Sequence, residues 1–258
     1  MGKNRSHGYN NGRFKELEYL IKSFRAPIYK LINLNSKHKF DCPICNYHGP
    51  FLKKNNRPHA KCPKCGELER ARFAKLLLDK IYSKEQSQKI SVLHISPENF
   101  LKKLFRKNYK HYVSADLYRT DVDCMFDIQN IPFPNESFDL IFASHVLEYV
   151  KDDYRALYEI KRVLKDKGIA ILPVPLKHEK TVDFSQRPKN QRIIREIGLD
   201  YFDRYKKVFK QVDIYDSDSF NSKYNLTIGI YGPKNAQLLN MIPVCKVCLL
   251  YTSDAADE

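Results

Sequence analysis

The sequence predicts an α/β protein: a doubly wound, Rossmann-like sheet preceded by a small four-cysteine ribbon. Three observations carry that expectation. From Lys89 onward, short apolar runs alternate with helical segments, the pattern of a mostly parallel sheet with helices on both faces. Ahead of them stand two Cys-Pro-x-Cys knuckles, Cys42-Pro-Ile-Cys45 and Cys62-Pro-Lys-Cys65. The charge divides at the same place: of a net +15, residues 1–90 hold 20 Lys and Arg against 7 Asp and Glu, and residues 91–258 hold 25 against 23.

Four segments follow from this reading. Residues 1–38 form a basic N-terminal helical segment, 39–88 the ribbon and its following helix, and 89–247 the sheet domain. Residues 248–258, Cys248-Leu-Leu-Tyr-Thr-Ser-Asp-Ala-Ala-Asp-Glu258, break in character and resemble the translation of a sequencing-library adapter rather than native protein. The polar start lacks an apolar h-region, so no signal peptide is expected. Gly2 followed by Ser6 fits a myristoylation pattern only superficially. No apolar run approaches the roughly 20 residues that span a bilayer, and a cytoplasmic location is expected.

In the first segment, Phe14–Asn33 reads as a helix with Leu17, Leu20, Ile21 and Phe24 on one side and Lys15, Lys22 and Arg25 elsewhere. Pro27 should kink or break it. Such a helix either rests on an anionic membrane or partner, or packs on the ribbon or sheet domain.

The ribbon follows from coordination chemistry. Two cysteines at i and i+3 in a tight turn point both sulfurs at one ion, and two facing turns complete a tetrahedral thiolate shell suited to Zn²⁺. Cys42, Cys45, Cys62 and Cys65 are therefore the expected zinc ligands, with a redox dithiol or iron as alternatives. Asn46 and Gly66 follow the knuckles, where positive φ turns the chain. A closed four-thiolate shell has no open position for chemistry, so the module reads as structural, a rigid docking piece. His48 and His59 are expected at the surface, and Cys124 and Cys245 as small apolar fillers. Glu67–Tyr82 carries Leu68, Phe73, Leu76, Leu77 and Ile81 at helical spacing.

In the third segment, strands are predicted at Ser91–Ser96, His111–Leu117, Phe138–Ser144, Gly168–Pro173, Gln211–Tyr215 and Met241–Lys246, and helices at Asn99–Lys107 and Asp152–Leu164. The run Phe133–Val150 (FPNESFDLIFASHVLEYV) and the run Ala156–Ile171 (ALYEIKRVLKDKGIAI) resemble the middle of the class I S-adenosylmethionine (SAM) methyltransferases. The whole arrangement is similar to bacterial methyltransferase-domain proteins of the type 11 kind that carry an N-terminal zinc ribbon. That resemblance implies a SAM-dependent methyltransferase. It implies that Asp116, with Leu117 beside it, takes the ribose hydroxyls, which suits a carboxylate accepting two hydrogen bonds. It implies that Asp127 accepts from the adenine amino group with Ile128 against the ring, and that Ser144 and His145 face the ligand crevice. Each acid has a plainer role open to it, capping a turn.

The first loop departs from the family. Where an acid and alternating glycines are usual, this chain has Val92-Leu-His-Ile-Ser-Pro-Glu98. Ser96 and Glu98 then become the cofactor residues, Glu98 for the amino group. After the strand Gly168–Pro173 lies a polar insertion, Leu176–Asp200, with Lys177, His178, Arg187, Arg192 and Arg195. The resemblance makes it a lid, and its His178, Arg192 and Arg195 the substrate candidates, suiting an anionic acceptor.

The expected reaction is methyl transfer from SAM to an unidentified acceptor, anionic or glycan-type, with His145 the candidate base and His178 a second. One alternative is an rRNA or tRNA methyltransferase whose basic ribbon docks RNA. Another is a binding module with a degenerate cofactor loop. The basic residues 1–90 leave an anionic polymer, RNA or a membrane surface open as partners.

Overall fold

The computed structural model describes residues 24–55, 57–186, 188, 192–227 and 240–248. The expectations for Gly2, Ser6, residues 14–23, Arg187 and the tail beyond Cys248 lie outside them. Among the described residues, no helix is long and apolar enough to cross a membrane.

Helix α1 covers residues 24–32 and runs through Pro27. It packs by an unexpected face. Arg25 donates to the Pro63 carbonyl, Tyr29 to that of Phe51, and the small Ala26 sits in the module's core. Phe24, Ile28, Leu31, Ile32 and Leu34 stay exposed. The cysteine module has two short antiparallel pairs, β1 (Phe40–Asp41) with β2 (His48–Gly49) and β3 (Leu52–Lys54) with β4 (Arg57–Lys61). Asn46 (φ 55°) and Gly66 (φ 81°) turn the chain after each knuckle.

Helix α2 (Glu69–Ile81) leads through the short α3 (Lys84–Ser87) into the sheet. Ser83 and Gln86 form a capping box that fixes the start of α3. Then come β5 (Ser91–Ile95), α4 (Asn99–Asn108), β6 (His111–Asp116), β7 (Cys124–Met125), β8 (Phe138–Ala143), α5 (Asp153–Val163) and β9 (Leu164–Ile171). Three short strands, β10 (Leu176–His178), β11 (Val182–Asp183) and β12 (Arg195–Gly198), make a separate sheet of the insertion. Helix α6 (Phe202–Val208), β13 (Gln211–Asp216) and β14 (Met241–Lys246) close the chain.

The main sheet runs β13-β14-β9-β8-β5-β6-β7, with β14 antiparallel to both neighbours and the rest parallel. Connections turn one way from β5 to β7 and the other way from β8 onward. The C-terminal ends of β5 and β8 therefore flank the switch point where open sheets bind ligands. Strand alternation builds the two layers. Leu93, Ile95, Ile141 and Ala143 pack under α5 and α6, while Val92, Leu140 and Phe142 face α2 and α4.

The boundary expected at residues 88 and 89 is corrected by this packing. Phe73, Ala74, Leu77 and Leu78 of α2 belong to the same cluster as Val92, Leu101 and Leu140. Helix α2 is thus a layer of the sheet domain, not part of the ribbon. Arg72, on the same helix, is fully buried. It donates to the carbonyls of Ala60 (3.0 Å), Glu67 (3.1 Å), Tyr224 (3.0 Å) and Asn225 (2.6 Å), and lies 4.6 Å from the Phe51 ring centroid. Asn225 returns a hydrogen bond to the His59 carbonyl. The module is welded to the domain.

Candidate functional site

Cys42 and Cys65 sulfurs lie 3.6 Å apart, as do those of Cys45 and Cys62, and all four fall within 4.8 Å of one another. A tetrahedral shell with Zn–S of about 2.3 Å has sulfur edges of about 3.8 Å, so the donor set fits a zinc ion. His48 pairs with Asp41 at 2.7 Å on the surface, as expected. His59 is half-buried against His38 and Phe40 instead. Cys245 is a buried filler and Cys124 a half-buried one.

The switch point carries the second site. Ser96 follows β5 at φ +50°, the left-handed region a glycine would take without strain. Its amide donates to the Ala115 carbonyl at 2.7 Å, next in sequence to Asp116. Asp116 is buried at the end of β6, and its Oδ1 accepts from the amides of Tyr118 (2.9 Å) and Arg119 (3.0 Å). Burial opposes ionisation of Asp116, but those amides, Ser96 and the Arg119 charge outweigh it and hold the carboxyl below its usual range. Leu117 beside it is exposed, and Ile128 is buried. Asp127 holds its own turn, accepting from the Gln129 amide (2.9 Å) and, through both carboxylate oxygens, from the Gln129 side chain.

His94, at the place of the family acid, is buried between Phe105 and Phe142. Its Nδ1 lies 3.1 Å from the Tyr112 hydroxyl and its Nε2 3.3 Å from Glu98 Oε2. Burial pushes its pKa down, with Glu98 pulling the other way. A neutral ring accepts from Tyr112 and donates to Glu98. Burial also disfavours the Glu98 anion, yet His94 and Ser144 hold its pKa below the ordinary value. The histidine that replaces the acid therefore positions an acid four residues on.

Glu98, Ser144 and His145 line a cavity of about 260 Å³ at the ends of β5 and β8. His145 has φ +54°, its amide donates to the Pro173 carbonyl, and its Nδ1 stands 3.5 Å from buried Glu148. The other wall comes from β4 and the start of α2, with Arg57, Glu69 and Arg70. Sequence reasoning missed that wall. The available signal was the spacing of Glu69, Arg72 and Phe73 at i, i+3 and i+4, which puts two charged side chains on the buried face of α2.

The expected substrate residues do not converge on this cavity. Arg195 is corrected outright: it is buried, donating to the carbonyls of Leu147 (2.5 Å) and Val150 (2.8 Å) and to Asp183 (2.8 Å), and pairing with Asp153 at 3.4 Å. Its fork is consumed in fastening the insertion to the β8–α5 loop. His178 is exposed and 3.3 Å from Glu196, and Arg192 is exposed. Neither lines the cavity. The Gly198-Leu-Asp-Tyr201 element is a clasp. Asp200 accepts from the Thr181 amide and hydroxyl, both at 2.7 Å. A Cβ on Gly198 would stand 2.3 Å from the Lys180 backbone.

Residues 78–172 match the family described as "Methyltransferase domain". Among solved structures, the 4+2 cyclase SpnF is similar at 15% identity over 88% of this chain and 96% of its own, with a TM-score of 0.51. An S-adenosylmethionine dependent methyltransferase from Mesorhizobium loti is similar at 11% identity over 66% and 96% (TM-score 0.46). The YcgJ protein of Bacillus subtilis is similar at 14% over 66% and 94% (TM-score 0.40). No curated protein matches the chain. The strand order and the family match together give residues 78–172 a methyltransferase domain of the class I fold, fronted by a four-cysteine module.

Proposed function

We propose that the protein transfers a methyl group from SAM to a small-molecule acceptor, glycan-type compounds included, taken into the cavity between the sheet and α2. The observation that carries this reading is Ser96 held at the Ala115 carbonyl beside the acid Asp116 that ends β6, with Glu98, two residues on from Ser96, lining the cavity at the ends of β5 and β8. Asp116 and Leu117 would hold the ribose, Asp127 and Ile128 the adenine, and Glu98, with Ser144, the amino group. When bound, SAM supplies an electrophilic methyl group on a sulfonium centre. The chain's own work is to position the acceptor, exclude water and, where the acceptor carries a proton, receive it at His145. Zinc, held by Cys42, Cys45, Cys62 and Cys65, is structural in this reading.

Calorimetric titration with SAM and with S-adenosylhomocysteine tests it. Micromolar binding of both is expected, and no heat at millimolar ligand defeats the enzyme reading in favour of a cofactor-free binding module. A docking role for the basic third is supported by the exposed stripe Phe24, Ile28, Leu31 and Ile32 beside exposed Lys30, Lys37 and Lys39. Co-sedimentation with anionic but not neutral vesicles is its expected signature. Salt-sensitive binding to RNA in its place would move the reading to the RNA alternative.

A further inference from the structure

The geometry points to Glu69 as the residue that recognises the acceptor: its buried carboxylate accepts a hydrogen bond from an amine or hydroxyl on a small molecule with an apolar body. This rests on the reading that SAM binds at Glu98 and Asp116.

Glu69 is 1% exposed and lines the cavity. It forms an ion pair with Arg57 of β4 through Oε1. Its Oε2 is buried and finds no hydrogen-bond partner among the described residues. An ionised oxygen in that position costs stability unless a donor meets it, and Glu69 belongs to the cavity wall. The cavity's charge selects the sign of that donor. Glu67, Glu69 and Glu98 line it against Arg57, Arg70 and His145, and among the described residues no lysine does. Arg57 is matched to Glu69 itself. An anionic group would meet carboxylates on both walls, so the anionic acceptor suggested by the net charge does not suit this space, nor does a phosphate backbone.

The remaining surface sets the body of the ligand. Leu68 just before α2, Ala71 within it, and Phe100, Phe142, Val174 and Ile242 make most of the lining apolar. A space of about 260 Å³ takes a ring or short chain bearing one polar end. The amino group of the cofactor has its own carboxylate in Glu98, which leaves Glu69 to the acceptor.

The test uses the full chain as purified. Binding of benzylamine and of benzoate at about 10 mM, the range fragment-sized ligands need, is followed by saturation-transfer NMR with S-adenosylhomocysteine present. Benzylamine is expected to bind and benzoate not. Glu69→Gln is expected to weaken benzylamine by about tenfold or more, the scale of a lost charge-assisted hydrogen bond, with S-adenosylhomocysteine affinity within twofold of wild type. Because Glu69 is buried and paired, Ala71→Leu serves as a second variant. It fills the cavity without changing charge and is expected to exclude benzylamine equally.

Preference for benzoate, no binding of benzylamine to wild type, or full benzylamine binding by both variants overturns the inference. A Glu69→Gln loss that falls on S-adenosylhomocysteine assigns the residue to the cofactor and overturns it too. Failure of wild type to bind S-adenosylhomocysteine at all strikes the underlying reading instead.

Discussion

Replacing Arg72 by methionine tests whether the cysteine module and the sheet domain are one structure. Methionine keeps the length and apolar character of the stem but removes every donor. Four carbonyls, those of Ala60, Glu67, Tyr224 and Asn225, then lose their partner, along with the contact to the Phe51 ring. Burial pulls the guanidinium pKa down to about 10, so at neutral pH these are charge-assisted bonds, roughly 1.5–3 kcal/mol each in isolation. They act as a unit, and partial solvation of three carbonyls relieves some of the loss. The net cost should be about 3–5 kcal/mol, the range for breaking a buried charged network. For a chain of this size that is a fall of about 6–20 °C in Tm. Thermal unfolding by circular dichroism supplies the number, and a chromogenic chelator reports metal release. Early melting of the module should appear as faster metal loss below the main transition. A cost under about 1 kcal/mol with unchanged metal retention would refute the claim that Arg72 joins the two parts.

Other consequences are as direct. Cys62→Ser should cut bound zinc, read by elemental analysis, from one equivalent to a small fraction, because three thiolates leave the shell open. Glu98→Gln should weaken SAM about tenfold, ~1.4 kcal/mol, by calorimetry, and Asp116→Asn should do so by a similar factor. Stability should fall as pH drops below 6.5, the ordinary histidine value. The buried His94 has its pKa depressed, so the stability it contributes is fully present above 6.5 and is lost as pH falls toward the folded pKa. The shifted carboxyls Asp116, Asp123 and Asp139 add to this only near and below 3.8. Urea titrations of wild type and His94→Gln between pH 7 and 5 check it: the variant's stability should be flatter over that window.

Much of the fold was legible because its determinants are local. Val92, Leu93 and Ile95 alternate between two helical layers, and the apolar spacing in α2, α4 and α5 is periodic. The cysteine knuckles were legible for the same reason, since each pair of ligands lies within one turn. Ser96 was a harder case. Its residue type announces no glycine loop, yet the backbone takes the left-handed conformation that loop requires. Only the structure shows His94 handing its hydrogen bond to Glu98.

What stayed hidden was tertiary. Arg195 read as part of a cationic lid, but Asp153 and Asp183, on other elements, draw it inward. Glu69 gains its meaning from Arg57 on another element, a pairing no periodicity encodes.

The hold of Arg72 and Asn225 across the chain also sets a timetable for folding. The cysteine knuckles leave the ribosome early, but the carbonyls of Tyr224 and Asn225 that complete the Arg72 network lie 152 and 153 residues beyond Arg72. The Asn225 bond to His59 closes a loop of 166 residues. The four cysteines can be gathered by local contacts, yet the module waits for nearly the whole polypeptide before it docks. Contacts of such sequence separation form late and slowly. Until then the apolar flank of α2 and one edge of the nascent sheet stand open, which makes synthesis the interval in which this protein is most exposed to aggregation and to proteases.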